Sequence, residues 1–335
     1  GGDLVFERYY DVDYQSLTKT SKLQQKRIME NNYGDNATSQ YNYHDPEWHP
    51  YYQDTRLHTI QSVTKSVTSA LFGIAIGRGE LSSLDEKIFQ YFPRLISLFE
   101  GPLKKSITIR DLLTMSAGIK WDEFTHAYTN PLNDAASMES SDDWLKFILS
   151  PPMAFPPGEQ FVYNSGITIL LSHILQKSVD MPVDEYAQKF LFEPLGIKDF
   201  YWKKTPRGLI DAESGLYLTS TDFMKLGQLY LDNGNWRGAQ ILPEGWVEST
   251  MAPAFDTGYM GNSYGFQWWL APYDEGGDNW MFSGSGYGGQ YLLIIPEYEL
   301  VMVFNGWNIF DKARPAKEYL ASRVLKGIMS AEGVK

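Results

Sequence analysis

Two residues in this sequence have the types and spacing that nucleophilic catalysis needs. Ser62 is followed three positions later by Lys65, so a helix would place both side chains on one face. A hydroxyl near a helix start feels the positive end of the helix dipole, and an amine buried among apolar side chains loses its proton more readily. Such an amine can activate a serine for attack on a carbonyl carbon. The structural alternative is that Ser62 only caps the helix beside a surface lysine.

Two further polar groups could complete a site. Tyr163–Ser165 follows a Pro-Pro-Gly turn and opens a helix, a rigid and exposed position suited to a functional phenol. Ser283–Gly289 is rich in glycine and serine, and small residues in a strand let a substrate approach and leave N–H groups free to donate. Core packing of Tyr163 and a plain glycine-rich hairpin are the respective alternatives.

Hydrophobic spacing predicts the elements that position these groups. Apolar residues at positions 63, 67, 71 and 74 predict a buried helix that carries Lys65 and ends near Gly77. Short apolar runs at 290–296 and 300–305 predict an antiparallel hairpin, and Leu4–Tyr10 predicts another strand.

Helical patterns dominate between the strands at the two ends of the chain. This order predicts an α/β fold with a discontinuous domain of residues 1–79 and 206–335 and an inserted, mostly helical domain of residues 80–205.

The composition excludes several classes of protein. The 335 residues carry a net charge of −12 without a long basic run, which argues against nucleic acid as a partner. No apolar run reaches the length of a membrane span. The absence of cysteine excludes disulfides, thiol nucleophiles and thiolate metal sites, and the histidine spacing matches no zinc pattern. We therefore expect no metal and no cofactor.

The compartment and the oligomeric state are left open by the sequence. The chain begins at Gly1-Gly2 without a signal peptide, and one could have been removed, so a periplasmic or secreted location is favoured over the cytoplasm. A small molecule is the expected binding partner.

Two other motifs fail on their context. Gly261–Gly265 matches the Gly-x-Ser-x-Gly nucleophile elbow, but all five histidines precede it and that fold needs its histidine later in the chain. Gly284–Gly289 matches Gly-x-Gly-x-x-Gly, but a strand follows it where a dinucleotide-binding fingerprint requires a helix.

The order Ser-x-x-Lys, Tyr-x-Ser and Gly-Ser-Gly along the chain resembles the penicillin-recognising serine hydrolases. The resemblance is to the class C β-lactamase-like superfamily with its β-lactamase/transpeptidase-like fold, closest to the esterase and 6-aminohexanoate-oligomer hydrolase branch. It covers about residues 55–330 and includes segments 107–118, 192–196, 264–269 and 286–290.

This resemblance implies a role for each matching residue. Ser62 is implied as the acylated nucleophile, Lys65 as its base and Tyr163 as a proton shuttle. The backbone N–H groups of Ser62 and Tyr287 are implied as the oxyanion hole. Supporting or substrate-binding roles are implied for the following residues: Asn164, Ser165, Ser285 and Gly286. Trp121, in the loop after the Arg110 helix, either lines the cleft or only packs within the loop.

The departures from the family pattern narrow the function. The strand triad Gly284–Gly286 lacks the Lys or His that helps hold a substrate carboxylate, and Ser165 stands where many relatives have Asn. Arg314 is a distant cation that could substitute. We therefore expect an ester or amide hydrolase. A D,D-peptidase or β-lactamase is the alternative, and a non-catalytic binding scaffold is the third hypothesis.

Overall fold

The computed structural model describes residues 2–10, 43, 49–128, 130–273, 279–306 and 315–331. Its helices are α1 Thr64–Gly77, α2 Gly101–Ser106, α3 Ile109–Leu113, α4 Asp134–Glu139, α5 Trp144–Leu149, α6 Ser165–Val179, α7 Val183–Ala187, α8 Glu193–Leu195, α9 Ser220–Leu231, α10 Trp246–Met251 and α11 Lys317–Ala331. Its strands are β1 His58–Thr59, β2 Tyr201–Trp202, β3 Leu216–Leu218, β4 Asn235–Trp236, β5 Ala239–Gln240, β6 Phe255–Asp256, β7 Ser263–Tyr264, β8 Trp269–Pro272, β9 Trp280–Gly286, β10 Gln290–Ile295 and β11 Leu300–Phe304.

A six-stranded antiparallel sheet forms the centre of the C-terminal half. Its strand order is β11-β10-β9-β8-β7-β6, and β10 pairs with β11 as the predicted hairpin. Alternate residues of a strand face opposite sides. On one side Leu292 packs close to Gly227 of α9, whereas Leu293 belongs to a buried cluster with Leu325 of α11. Helices therefore cover both faces of this sheet.

The predicted helix after Ser62 is present as α1, and it is buried over most of its length. A helix that is apolar on nearly every side belongs in the interior of a protein. Gly73 allows the close approach of Trp246, whose ring atoms lie 2.7 Å from where a Cβ would be. Because α1 is packed on all sides, the side chains at its start are held in fixed positions.

A second, three-stranded sheet brings a distant segment to the start of α1. Its order is β1-β3-β2, and His58 of β1 lies opposite Leu218 of β3. Thr59 is opposite Tyr217 in the same register. The residues just before β3 therefore lie beside the residues that follow β1, which places Glu213 and Ser214 next to Ser62.

Several sequence predictions about the fold can be compared directly. The strand predicted at Leu4–Tyr10 is wrong, because the described segment 2–10 has no strand partner and exposes Val5 and Phe6. Alternating apolar residues form a strand only when another strand accepts their backbone hydrogen bonds. The division into domains at residues 80 and 205 stays a prediction. In the described parts of the chain no helix combines the length and apolarity needed to cross a membrane.

Gly118 ends the segment after α3 in a conformation that only glycine adopts without strain. Its φ is +73°, and a Cβ would lie 2.2 Å from the carbonyl oxygen of Phe155. Gly79 has a similar φ of +72° with nothing within 4 Å of the same position. Alanine substitutions at these two glycines therefore distinguish the cost of the left-handed backbone from the cost of a steric clash.

We expect Gly118→Ala to lower the free energy of unfolding by about 3 kcal/mol and Gly79→Ala by about 1 kcal/mol. In both variants an alanine is forced into the left-handed conformation. Only in Gly118→Ala does its Cβ also collide with a backbone atom. Urea denaturation of the two variants measures the difference. Equal losses would show that the Phe155 backbone moves away at no cost.

Candidate active site

Ser62 lies in a single helical turn, Gln61–Val63, that leads directly into α1. The amine Nζ of Lys65 donates a hydrogen bond to Ser62 Oγ over 2.9 Å. Lys65 is 1% exposed, whereas Ser62 is only partly buried. The predicted contact between the hydroxyl and the amine is therefore present, with the hydroxyl on the accessible side.

The residue before Ser62 has an unusual backbone conformation. Gln61 has a φ of +50°, in the left-handed region that a residue with a Cβ adopts only when its surroundings hold it there. Its N–H donates to Thr59 Oγ1 over 3.2 Å, and its carbonyl accepts from Thr64 Oγ1 over 2.7 Å. These two bonds stabilise the sharp bend that presents Ser62 ahead of the helix.

Lys65 has a carboxylate partner that the sequence did not indicate. Its Nζ lies 3.1 Å from Glu213 Oε2 and donates to the Glu213 backbone carbonyl over 2.9 Å. Burial lowers the pKa of the Lys65 amine, but its neighbours Tyr163, Glu213 and Glu123 raise that pKa above its ordinary value overall. The buried amine, which was expected to lose its proton more readily, therefore has a neighbouring carboxylate that opposes the loss.

Tyr163 lies beside the same two residues. The Lys65 amine is 5.3 Å from the centroid of its ring. The ring stacks against Phe124 and against Trp269, with centroid distances of 5.2 and 5.7 Å. Burial raises the pKa of the Tyr163 phenol, and the Lys65 charge and a hydrogen bond with Ser62 oppose that rise only in part. The phenol therefore keeps its proton at neutral pH.

The end of β9 packs against the segment that contains Ser62. A Cβ on Gly286 would lie 2.6 Å from the Ile60 carbonyl oxygen, so only glycine fits this approach. Tyr287 follows immediately, which brings its backbone next to the turn of Ser62. Because successive residues of a strand face opposite sides, Ser285 projects from the face opposite Gly286. Its buried Oγ has no hydrogen-bond partner among the described residues. Its predicted role at the cleft stays a prediction.

Trp121, Asn164 and Ser165 have mainly structural contacts. The Asn164 Oδ1 accepts from the Ile167 N–H over 3.2 Å and so caps α6. Ser165 donates its hydroxyl to Glu123 Oε1 over 2.6 Å, and Trp121 donates its indole N–H to Glu123 Oε2 over 2.9 Å. Trp121 is buried, which favours packing within the loop over lining the cleft.

Glu123 is a second buried carboxylate that sequence analysis missed. Besides Trp121 and Ser165 it accepts a hydrogen bond from the Tyr128 hydroxyl over 2.8 Å, and the Tyr128 ring meets the Tyr287 ring edge-on at 5.6 Å. Burial raises the pKa of Glu123, and the Lys65 charge partly offsets that effect. In the segment Trp121-Asp122-Glu123 the tryptophan is the conspicuous residue, and no local sequence pattern predicts that the glutamate is buried.

We expect Glu123→Gln to lower the free energy of unfolding by about 2–3 kcal/mol, because an amide nitrogen in place of one oxygen leaves buried donors without an acceptor. Urea denaturation measures this loss. Glu159→Gln removes an exposed carboxylate in the Pro-Pro-Gly turn and is the matched control, with an expected change within about 0.5 kcal/mol. Equal stability of both variants would contradict the assigned role of Glu123.

Glu213 belongs to a larger buried acidic cluster, which we define as Glu139, Asp211 and Glu213. The Tyr43 hydroxyl lies 2.8 Å from Glu139 Oε1 and 2.8 Å from Asp211 Oδ2. A phenol has one proton, so it can donate to only one of these two carboxyls at a time. Burial and the Glu213 charge raise the pKa of Glu139 far above its ordinary value. Burial and the Glu213 charge also raise the pKa of Asp211, to about 7, so both partners of Tyr43 hold a proton more readily than an exposed carboxyl.

The chain is similar to known proteins over most of its length. The chain matches the Beta-lactamase family over residues 2–322. It is 25% identical over 268 residues to the 6-aminohexanoate-dimer hydrolase of Paenarthrobacter ureafaciens, a match that covers 73% of this chain and 65% of that protein. It is 24% identical over 156 residues to the esterase EstB of Burkholderia gladioli, a match that covers 45% of this chain and 39% of the esterase. The chain thus spans less than two thirds of these relatives.

The octameric penicillin-binding protein homologue of Pyrococcus abyssi has a similar fold. Its TM-score is 0.62 at 20% identity, covering 82% of this chain and 66% of that one. The predicted β-lactamase/transpeptidase-like fold is therefore confirmed. Because the family match extends over nearly the entire sequence, the chain belongs to the Beta-lactamase family.

Proposed function

We propose that this protein is a serine hydrolase that cleaves an ester or amide bond through an acyl-enzyme on Ser62. The observation that carries the proposal is the 2.9 Å contact between Lys65 Nζ and Ser62 Oγ, with the Tyr163 ring 5.3 Å from the same amine. The relatives named 6-aminohexanoate-dimer hydrolase and esterase EstB support the same class of reaction.

In the proposed reaction Ser62 Oγ attacks the carbonyl carbon while its proton moves to Lys65. The backbone N–H groups of Ser62 and Tyr287 stabilise the oxyanion, and such donors each contribute about 3–4 kcal/mol to transition-state stabilisation. Tyr163 passes a proton to the leaving alcohol or amine, and the bond to that group breaks. Water then attacks the acyl-enzyme with Tyr163 assisting, which releases the acid and restores Ser62.

One residue position, 284, supports an ester or a linear amide as the substrate rather than a β-lactam. Gly284 occupies the place where penicillin-recognising relatives have a cation. A Cβ there would lie 2.3 Å from Val63 Cγ1, so no larger side chain fits. Arg314, the distant cation considered from sequence, lies outside the described residues. The strand triad 284–286 therefore lacks the usual cation for a substrate carboxylate.

A substrate panel tests the proposal. It compares p-nitrophenyl esters, short linear amides, D-Ala-D-Ala peptides and β-lactams, with Ser62→Ala as the control. We expect Ser62-dependent turnover of the esters or amides and slow or absent turnover of the β-lactams. Faster turnover of penicillins or D-Ala-D-Ala peptides would favour the alternative function, a D,D-peptidase or β-lactamase. No turnover of any activated ester would favour a binding scaffold.

A further inference from the structure

The charge state of Lys65 raises a question about the proposed reaction. A lysine that already holds three protons cannot accept the proton of Ser62. Three acceptors surround Lys65 Nζ: Ser62 Oγ at 2.9 Å, the Glu213 carbonyl oxygen at 2.9 Å and Glu213 Oε2 at 3.1 Å. An ammonium group has three donors and no acceptor, so this geometry fits the charged form. One of its protons must leave before or while the Ser62 proton arrives.

Glu213 is placed to receive that proton. Its side chain is almost fully buried, and Oε2 is the atom that faces Lys65 Nζ. The backbone carbonyl of the same residue accepts a second hydrogen bond from Lys65 Nζ, which keeps the amine in place during proton transfer. Ser214 donates its hydroxyl to the same Oε2 over 2.7 Å, and its Oγ lies 3.5 Å from Ser62 Oγ. The carboxylate is thus connected to the nucleophile through Lys65 and also through Ser214.

We propose that Glu213 is the terminal proton acceptor of the acylation step and acts through Lys65. As Ser62 Oγ bonds to the carbonyl carbon, its proton moves to Lys65 Nζ, and one Lys65 proton moves to Glu213 Oε2. The site then contains the oxyanion of the tetrahedral intermediate, the Lys65 ammonium and a neutral Glu213 carboxyl, so the net charge is unchanged. This inference rests on the proposed function. Glu213 touches no substrate and is a positioning residue.

The groups around Glu213 make this proton transfer brief and reversible. They are Lys65 on α1, Glu139 on α4, and Asp211 and Ser214 before β3, with Tyr43 bridging Glu139 and Asp211. A hydrogen bond with Glu139 stabilises the Glu213 anion and lowers the Glu213 pKa. Lys203 offsets the charge of Asp211. The surroundings therefore favour the return of the proton to Lys65, which Tyr163 can then draw on for the leaving group.

The test is the pre-steady-state burst of p-nitrophenol from p-nitrophenyl acetate, measured across pH. In the Glu213→Gln variant the acceptor and its charge are lost, so the acylation rate constant at pH 7 should fall by about 100-fold or more. Without the neighbouring anion burial dominates, and the pKa of Lys65 falls. The remaining rate should therefore rise with pH as Lys65 loses its proton, with the substrate KM little changed.

The wild type should behave differently. Burial raises the pKa of Glu213, but Lys65 and the surrounding hydrogen bonds bring it below its ordinary value overall. Its acylation rate should therefore stay level across neutral pH and fall only in acid, where Glu213 becomes protonated. Glu86→Gln removes a hydrogen-bonded carboxylate far along the sequence, between α1 and α2, and is the matched control with the wild-type profile expected.

A wild-type rate and pH profile in Glu213→Gln would overturn the inference, as would an equal loss at every pH. The amplitude of the burst measures the concentration of folded, active sites, and its rate measures acylation. A misfolded variant therefore loses amplitude, whereas a variant with slow chemistry loses rate. If the variant does not fold, the solvent isotope effect on wild-type acylation decides in its place. Two protons in motion predict a curved dependence of the rate on deuterium fraction, and a straight line contradicts the inference. A burst that persists in Ser62→Ala would instead overturn the proposed function.

Discussion

Replacing Ser62 by alanine is expected to reduce kcat for ester hydrolysis by about 10⁴- to 10⁶-fold, the range found when a catalytic serine is removed. The reason is that no other group takes over the covalent step, and only binding and oxyanion stabilisation remain. Stability should change little, because Ser62 is partly exposed and Lys65 Nζ keeps its two contacts with Glu213. A fluorophosphonate probe followed by intact-mass measurement should label the wild type once and the variant not at all.

Ser69→Ala is the control for this experiment. Ser69 is a fully buried serine on α1, two helical turns beyond the nucleophile. Its loss should leave labelling and the burst of product at wild-type levels. Equal labelling of wild type and Ser62→Ala would mean that another residue is the nucleophile.

Lys65→Met is expected to have the second large effect, because it removes a proton carrier and the partner of a buried carboxylate. Acylation at neutral pH should slow by about 10²- to 10⁴-fold, the usual contribution of general acid–base catalysis. The free energy of unfolding should fall by about 3–5 kcal/mol, since breaking a buried ion pair leaves an uncompensated charge. Burst kinetics and urea denaturation measure the two losses separately.

The stability loss in Lys65→Met should depend on pH. Without Lys65, burial and the neighbouring acids raise the pKa of Glu213 above its ordinary value, the reverse of the wild type. A carboxyl whose pKa is raised on folding stabilises least when it is ionised, so the defect should be small below pH 4.5 and grow as pH rises. Denaturation at pH 5 and pH 8 checks the sign.

The double variant Lys65→Met, Glu213→Gln separates structure from catalysis. With both charges gone no buried ion is left unpaired, so most of the lost stability should return. The acylation rate should stay low, because the proton carrier is still missing. Recovery of the rate together with stability would mean that Lys65 serves only the fold.

The sequence predicted the parts of this site that follow local patterns. Helical spacing after Ser62 is a short-range signal, and it correctly gave the α1 helix and the face shared with Lys65. The hairpin of β10 and β11 was equally predictable, since two apolar runs flank a short polar turn. The resemblance to a known family added Tyr163, which lies about a hundred residues further on.

The two carboxylates could not be predicted in the same way. Glu213 reaches Lys65 across 148 positions, and nothing in the sequence around either residue signals that contact. It depends on the pairing of two-residue β1 with β3, strands too short to give a periodic pattern. Glu123 lies in a loop whose conformation depends on hydrogen bonds within the loop. Its contact with Ser165 therefore could not be predicted from the sequence either.

The contact between Gly284 and Val63 also limits which side chains this site could acquire by substitution. A lysine at position 284 would collide with Val63, and a smaller residue at position 63 alone would leave a cavity beside the nucleophile. Each step by itself would harm the protein before any benefit could be selected. Placing a lysine at position 284 to hold a penicillin-like carboxylate would therefore require paired substitutions at positions 63 and 284.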